Sequence, residues 1–307
     1  MRYLIASCLA AALLAPAAPV AAQQNPSGRD VLGGILNVIL GPSAEPQADE
    51  AAEEAEAATP AGAREQMARV LAAPRRAEDR ARDEWRHPAE TLAFFQVRPG
   101  MTVIDYIPGN GWYTRVLAPY LGRKGIYIGL IPDPRAADSD SRSEFYARLP
   151  GEFRQDAPGW SLTGAPVAIY GSQEVPKELK GQVDRVLIFR EMHNLLRTGV
   201  LYTELTRLRD LLRPDGMLGI VQHRARPDAP GGYTLGGNGY LREKDVIALV
   251  EAHGFALVGK SEINANPRDP ANHEGGVWQL PPSWSGQKPG LRQIGESDRM
   301  TLLFRKR

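Results

Sequence analysis

An apolar run, Val103-Ile104-Asp105, leads into Tyr106-Ile107-Pro108-Gly109-Asn110-Gly111, and a helical pattern begins at Trp112-Tyr113-Thr114. A strand ending in an acid, followed by a Pro/Gly-rich turn and a helix start, leaves a chain few ways to fold. Glycines let the backbone pass close to a ligand, and the first turn of a helix presents N–H groups that have no helical partner. This unit is expected to hold a nucleotide-like group at the carboxyl end of its strand.

The chain beyond it keeps alternating. Strands are predicted over 101–105, 125–130, 166–170, 183–189, 217–222, 256–263 and 300–306. Between them the pattern predicts a helix over 112–121 and a short one over 141–148. A stripe of Leu201, Leu205, Leu208 and Leu212 predicts another, and a further helix over 241–253 is closed by Gly254. Upstream, 64–86 is charged and helical in pattern, with opposite charges three and four residues apart. Pro88 opens a helix that turns Leu92, Phe94 and Phe95 to the core, and Arg98-Pro99-Gly100 turns into the first strand. Such alternation predicts an α/β fold: a mostly parallel sheet with helices on both faces.

The N-terminal part reads differently. Residues 1–22 have the form of a secretory signal, with Arg2, an apolar stretch over 4–14 and Val20-Ala21-Ala22 as a small-residue cleavage site. That stretch is shorter than the roughly 20 apolar residues a bilayer span needs. An exported, periplasmic protein is expected. Residues 23–63, alanine-rich with Asp49, Glu50, Glu53, Glu54 and Glu56, read as a solvated linker. Within it the apolar segment 31–40 either docks on a membrane or partner, or lies as a short helix on its own domain.

A formal charge of +1 over 307 residues gives no electrostatic argument for nucleic acid, so the expected partner is a small molecule. The one cysteine, Cys8, lies in the leader. A thiol nucleophile and a disulfide framework are therefore excluded from a mature chain. The five histidines show no metal-ligand spacing, and no metal is expected.

Over about residues 64–307 these features resemble the class I S-adenosylmethionine-dependent methyltransferase family. The glycine turn after the first strand resembles that family's cofactor loop, and Arg213-Pro214-Asp215-Gly216 resembles its entry to strand five. More narrowly, Pro108 to Thr114, Gln222-His223-Arg224-Ala225 and Gly239-Tyr240-Leu241-Arg242 resemble a group of exported bacterial proteins described as predicted methyltransferases. The resemblance implies a Rossmann-like, mostly parallel seven-stranded sheet whose C-terminal strand is antiparallel and inserted between five and six. It implies S-adenosylmethionine as cofactor, held by Asp105, Gly109, Gly111, Trp112 and Asp133. Two departures stand out. The family's loop runs acid–x–Gly–x–Gly–x–Gly, and Ile107 replaces the first glycine; a branched side chain is not expected to take the positive φ a glycine allows. The family ends strand two with an acid, whereas here Asp133 follows three positions later.

Other candidates carry two readings each. Asp105 either binds the cofactor's amino group or holds the loop amides. Trp112 and Tyr113 either flank the pocket or belong to the core. His193, near Glu191, and His223 both end up after strands on the ligand-binding rim; they are the candidate catalytic bases, or are bonded to local backbone. Arg82, Asp83 and Arg86 form either a lid or an ordinary charged helix face. The glycine-rich loop 231–240 either shapes access or merely connects. Two functions are compatible with this pattern: a methyltransferase acting on an unnamed acceptor, or an exported non-catalytic domain of the same fold binding another small ligand.

Overall fold

The computed structural model of the protein describes residues 59–307. The expected leader over 1–22, segment 31–40 and the part of the expected linker up to residue 58 lie outside the described residues. Thr59 accepts a hydrogen bond from the Gly62 N–H and Pro60 fills the first helical position, so helix α1 (Pro60–Ala72) starts inside the range read as linker. The expected long charged helix then breaks at Ala73, ahead of Pro74, and continues as short turns over Pro74–Arg76, Arg80–Arg82 and Asp83–Arg86.

Seven strands form one sheet: β1 (Thr102–Tyr106), β2 (Ile126–Ile131), β3 (Val167–Gly171), β4 (Val183–Phe189), β5 (Leu212–His223), β6 (Phe255–Ser261) and β7 (Arg299–Lys306). Their order is β3-β2-β1-β4-β5-β7-β6. The first five are parallel, and β7 runs antiparallel between β5 and β6, as the resemblance implies. The central strands are buried along their whole length, which is why they read as apolar runs rather than alternating ones.

Because successive strand residues point to opposite faces, the sheet carries two cores. On one face Ile104, Ile128 and Val186 meet Leu201, Leu205 and Leu208 of α6 (Leu201–Leu211) and Val246 and Val250 of α7 (Glu243–Ala252). On the other, Val103, Tyr127 and Ile169 meet α1, α2 (Pro88–Phe94), α3 (Thr114–Leu121) and α4 (Asp140–Asp156). The helix expected over 141–148 thus runs to Asp156. Pro150 does not stop it, because Tyr146 and Phe153 bury a continuous face against the sheet. Helix α5 (Met192–Arg197) and the long segment between β6 and β7 had no clear sequence pattern. Among the described residues no helix is long and apolar enough to cross a membrane.

Candidate functional site

The strand order reverses between β1 and β4, and a crevice opens there outside the carboxyl ends of the strands. It is a cavity of about 540 Å³, within the usual size of small-molecule sites. Asp105 and the turn Ile107–Asn110 come from β1, Phe189, Arg190 and Glu191 from β4, and His223 from β5. Helix α4 contributes Arg142, Phe145 and Leu149, while Val277, Trp278 and Leu280 to Ser283 wall it from the segment between β6 and β7.

The turn departs from expectation in one informative way. Ile107 has φ +56°, Gly109 +58° and Gly111 +76°. All three positions where the resembled family has glycine are left-handed, the isoleucine included. The Ile107 N–H still donates to the Leu130 carbonyl at 2.8 Å, so the β1–β2 ladder ends on a residue forced into a conformation costing about 1–2 kcal/mol. Its side chain recovers part of that by packing against both cores. The turn retains its path without the glycine. Gly111 is needed for space: an added Cβ would lie 2.5 Å from the Trp160 ring, whereas at Gly109 it would meet nothing within 4 Å.

Asp105 is buried and does not hold the loop amides. It accepts a hydrogen bond from the Tyr127 hydroxyl at 3.0 Å, and Tyr127 in turn shares one with Thr114 at 2.7 Å. Burial pushes its carboxyl up to about 7, opposed by the Tyr127 hydrogen bond and the Arg190 charge and reinforced by Glu191. Glu191 is likewise raised to about 7 by burial, with the Asn194 side-chain amide donating to it at 2.7 Å. Asn194, not His193, is therefore the partner of Glu191.

The two histidines do meet, with ring centroids 5.7 Å apart. His193 Nδ1 stands beside the Gln222 amide, and His223 Nδ1 is 2.6 Å from Ser297 Oγ. Burial lowers His193 to about 4 and holds His223 well below the usual imidazole range, so both are neutral at pH 7. A proton acceptor matched to neutral pH is Glu191 rather than either imidazole.

Trp112 answers to both of its readings. It lines the cavity, and it is also held in the core between the guanidinium groups of Arg76 and Arg86, 4.9 and 4.5 Å from its ring. Tyr113 stacks on Phe189 at 3.6 Å. Arg82 and Arg86 reach the cavity and share Glu296 with Arg299, while Asp83 pairs with the buried Arg76 and does not line the cavity. Asp133 lies outside the cavity lining. It caps the turn Pro134–Ala136, and its carboxylate takes two hydrogen bonds from the Arg135 side chain, which holds it below the usual carboxylate range. Loop 231–240 does not line the cavity either; it packs behind it, with Gly239 against Val277 and Gly236 against the His193 carbonyl. Among the described residues, no group of three or more His, Cys, Asp or Glu side chains gathers as a metal site.

Sequence reasoning missed Arg142, Arg190, Arg197, Glu296 and Trp278, which reach the cavity from four different segments. Only Arg190, next to the end of a readable strand, carried a positional signal.

No protein-family model and no curated protein matches the chain. Among solved structures it is similar to a SAM-dependent methyltransferase from Aquifex aeolicus, at 20% identity over 64% of this chain and 93% of that one, TM-score 0.44. It is similar to the Burkholderia thailandensis 1,6-didemethyltoxoflavin-N1-methyltransferase, solved with S-adenosylhomocysteine, at 15% identity over 86% and 93%, TM-score 0.43. It is also similar to the cyclase SpnF, at 14% identity over 72% and 80%, TM-score 0.46. These likenesses are distant, and the fold rests on the strand order and direction seen in this chain.

Proposed function

We propose that this protein is an S-adenosylmethionine-dependent methyltransferase acting on a small molecule, with its site in the cavity at the β1–β4 reversal. The observation that supports this most is the left-handed series at residues 107, 109 and 111, whose first two members line the cavity beside Asp105. A turn that keeps this path although an isoleucine must bear the strain is one whose shape is used.

The residues fit the amino-acid end of the cofactor and not its ribose. Asp105 and the backbone about Gly109 border the cavity, so they are the groups to hold an ammonium and a carboxylate. The acid expected for the ribose, Asp133, is tied to Arg135. When bound, the cofactor supplies an electrophilic methyl group. The chain's own part is to orient the acceptor, exclude water and take a proton from the attacking atom. Glu191, half-buried on the wall and poised near neutral, takes that proton. His193 and His223 stay neutral, form the polar floor, and are available as hydrogen-bonding groups to the acceptor.

The test is transfer of labelled methyl from S-adenosylmethionine to small molecules of a cell extract by the full chain. Label that appears with the wild type and is lost in Asp105→Asn supports the reading; no label in any fraction removes it.

A non-catalytic domain binding another ligand is the second reading, favoured by the Ile107 side chain on the wall and by the turned-away Asp133. Retention of a co-purified ligand lacking an adenosyl group would establish it. The leader motif and the three short motifs support membership of the exported bacterial group. Periplasmic release on fractionation tests this, and a cytoplasmic full-length chain refutes it.

A further inference from the structure

The cavity wall holds five arginines, and they divide into two sets. Arg82 and Arg86 are compensated by Glu296. Arg142, Arg190 and Arg197 form no ion pair among the described residues, and the acid their charges act on is Glu191. Among the described residues the Arg190 side chain makes no hydrogen bond and no ion pair, although the residue is half-buried. Arg197 donates only to the Asn194 side-chain oxygen at 2.8 Å, and Arg142 lies over the Tyr146 ring at 5.9 Å. All three charges act on the same two groups, Glu191 and His193, so they converge on one side of the cavity.

Arg190 is set there at a cost. It follows β4 directly and has φ +64°, left-handed for a residue with a long side chain, while its N–H is locked to the Val221 carbonyl at 2.6 Å. Three guanidinium groups gathered on one cavity wall repel one another, which an anion seated among them relieves. The same cavity carries exposed aromatic surface. Phe145 and Trp278 are the two large side chains of the cavity that stay exposed, 38% each. Guanidinium groups without ion-pair partners and exposed rings in one cavity define an amphipathic ligand with a flat body.

We infer that the acceptor side of the cavity binds an aromatic carboxylate, with its carboxylate on Arg190, supported by Arg142 and Arg197, and its ring against the exposed rings of Phe145 and Trp278. This rests on reading the cavity as the acceptor site, but not on the cofactor being bound.

Calorimetric titration of the full chain with benzoate, phenylacetate and naphthoate, each beside its neutral amide, tests it. The acids bind and the amides bind at least about tenfold more weakly, as loss of a charge-assisted contact requires. Arg190→Gln abolishes that preference at an unchanged melting temperature, Arg142→Gln reduces it, and Trp278→Ala weakens acid and amide alike. Equal affinity for acid and amide, a preference that survives in both arginine variants, or no saturable binding at millimolar acid overturns the inference. Acid binding without methyl transfer leaves this inference standing and removes the methyltransferase reading alone.

Discussion

At the scale of single residues, the turn after β1 decides most. Gly109 and Gly111 are both left-handed, yet they tolerate change differently. Gly109→Ala meets open space and costs only the backbone strain, about 1 kcal/mol of unfolding free energy. Gly111→Ala adds a collision with Trp160 and costs clearly more; urea unfolding of the two variants gives the ranking. Ile107→Gly relieves strain and clears the wall, so S-adenosylhomocysteine binds to it at least as tightly as to the wild type, and calorimetry reads this directly.

Asp105 supplies a pH signature on the same scale. Its folded value, about 7, lies above the unfolded value of about 4, so the folded chain holds the extra proton between the two. Stability from this group therefore falls as pH rises through that window. Asp105→Asn removes the dependence: relative to wild type the variant gains roughly 2–4 kcal/mol between pH 4 and pH 8, in unfolding measured across that range. His193, lowered to about 4, acts in the opposite direction below about pH 6.5 and flattens the wild-type curve there, which is why the difference between variants is the quantity to follow. Glu191 marks the rate profile instead. If it takes the acceptor proton, kcat/KM rises with pH through about 7, whereas a His193 base would place that limb near 4.

At the scale of elements, the short turns after α1 are pinned to the start of β7 by one carboxylate. Glu296, buried, faces Arg82 at 2.8 Å, Arg299 at 3.0 Å and Arg86 at 3.5 Å. Glu296→Gln leaves buried guanidinium groups uncompensated and destabilises by about 3 kcal/mol in chemical unfolding. Had Arg82 and Arg86 been an ordinary charged face, the change would be near zero. This pinning was illegible in the sequence, because its partners lie more than 200 residues apart. Strands were legible to within a residue or two, since β1 to β4 are apolar runs closed by turn residues. The start of β5 was not: Arg213-Pro214-Asp215-Gly216 reads as a turn, yet it continues the strand at the sheet's margin. The extent of α4 was also hidden, because Pro150 and Gly151 weaken a pattern that tertiary packing sustains.

At the scale of the whole molecule, topology places the site. Residues next to strand ends were readable as candidates because the strand order collects them: Asp105, Glu191, His193 and His223 all reach one cavity. Asp133 did not follow, since an arginine two residues on captures its carboxylate. The outer wall was unreadable, for a segment of nearly forty residues between β6 and β7 folds back over the strand ends without periodicity of its own. Calorimetric titration of the full chain and its Asp105→Asn variant with S-adenosylhomocysteine tests whether this cavity accepts the cofactor's amino-acid end at Asp105. One-to-one saturable binding to the wild type, weakened at least about tenfold in the variant, is predicted; no heat of binding to the wild type at high micromolar ligand, or equal affinity of the two proteins, would contradict it.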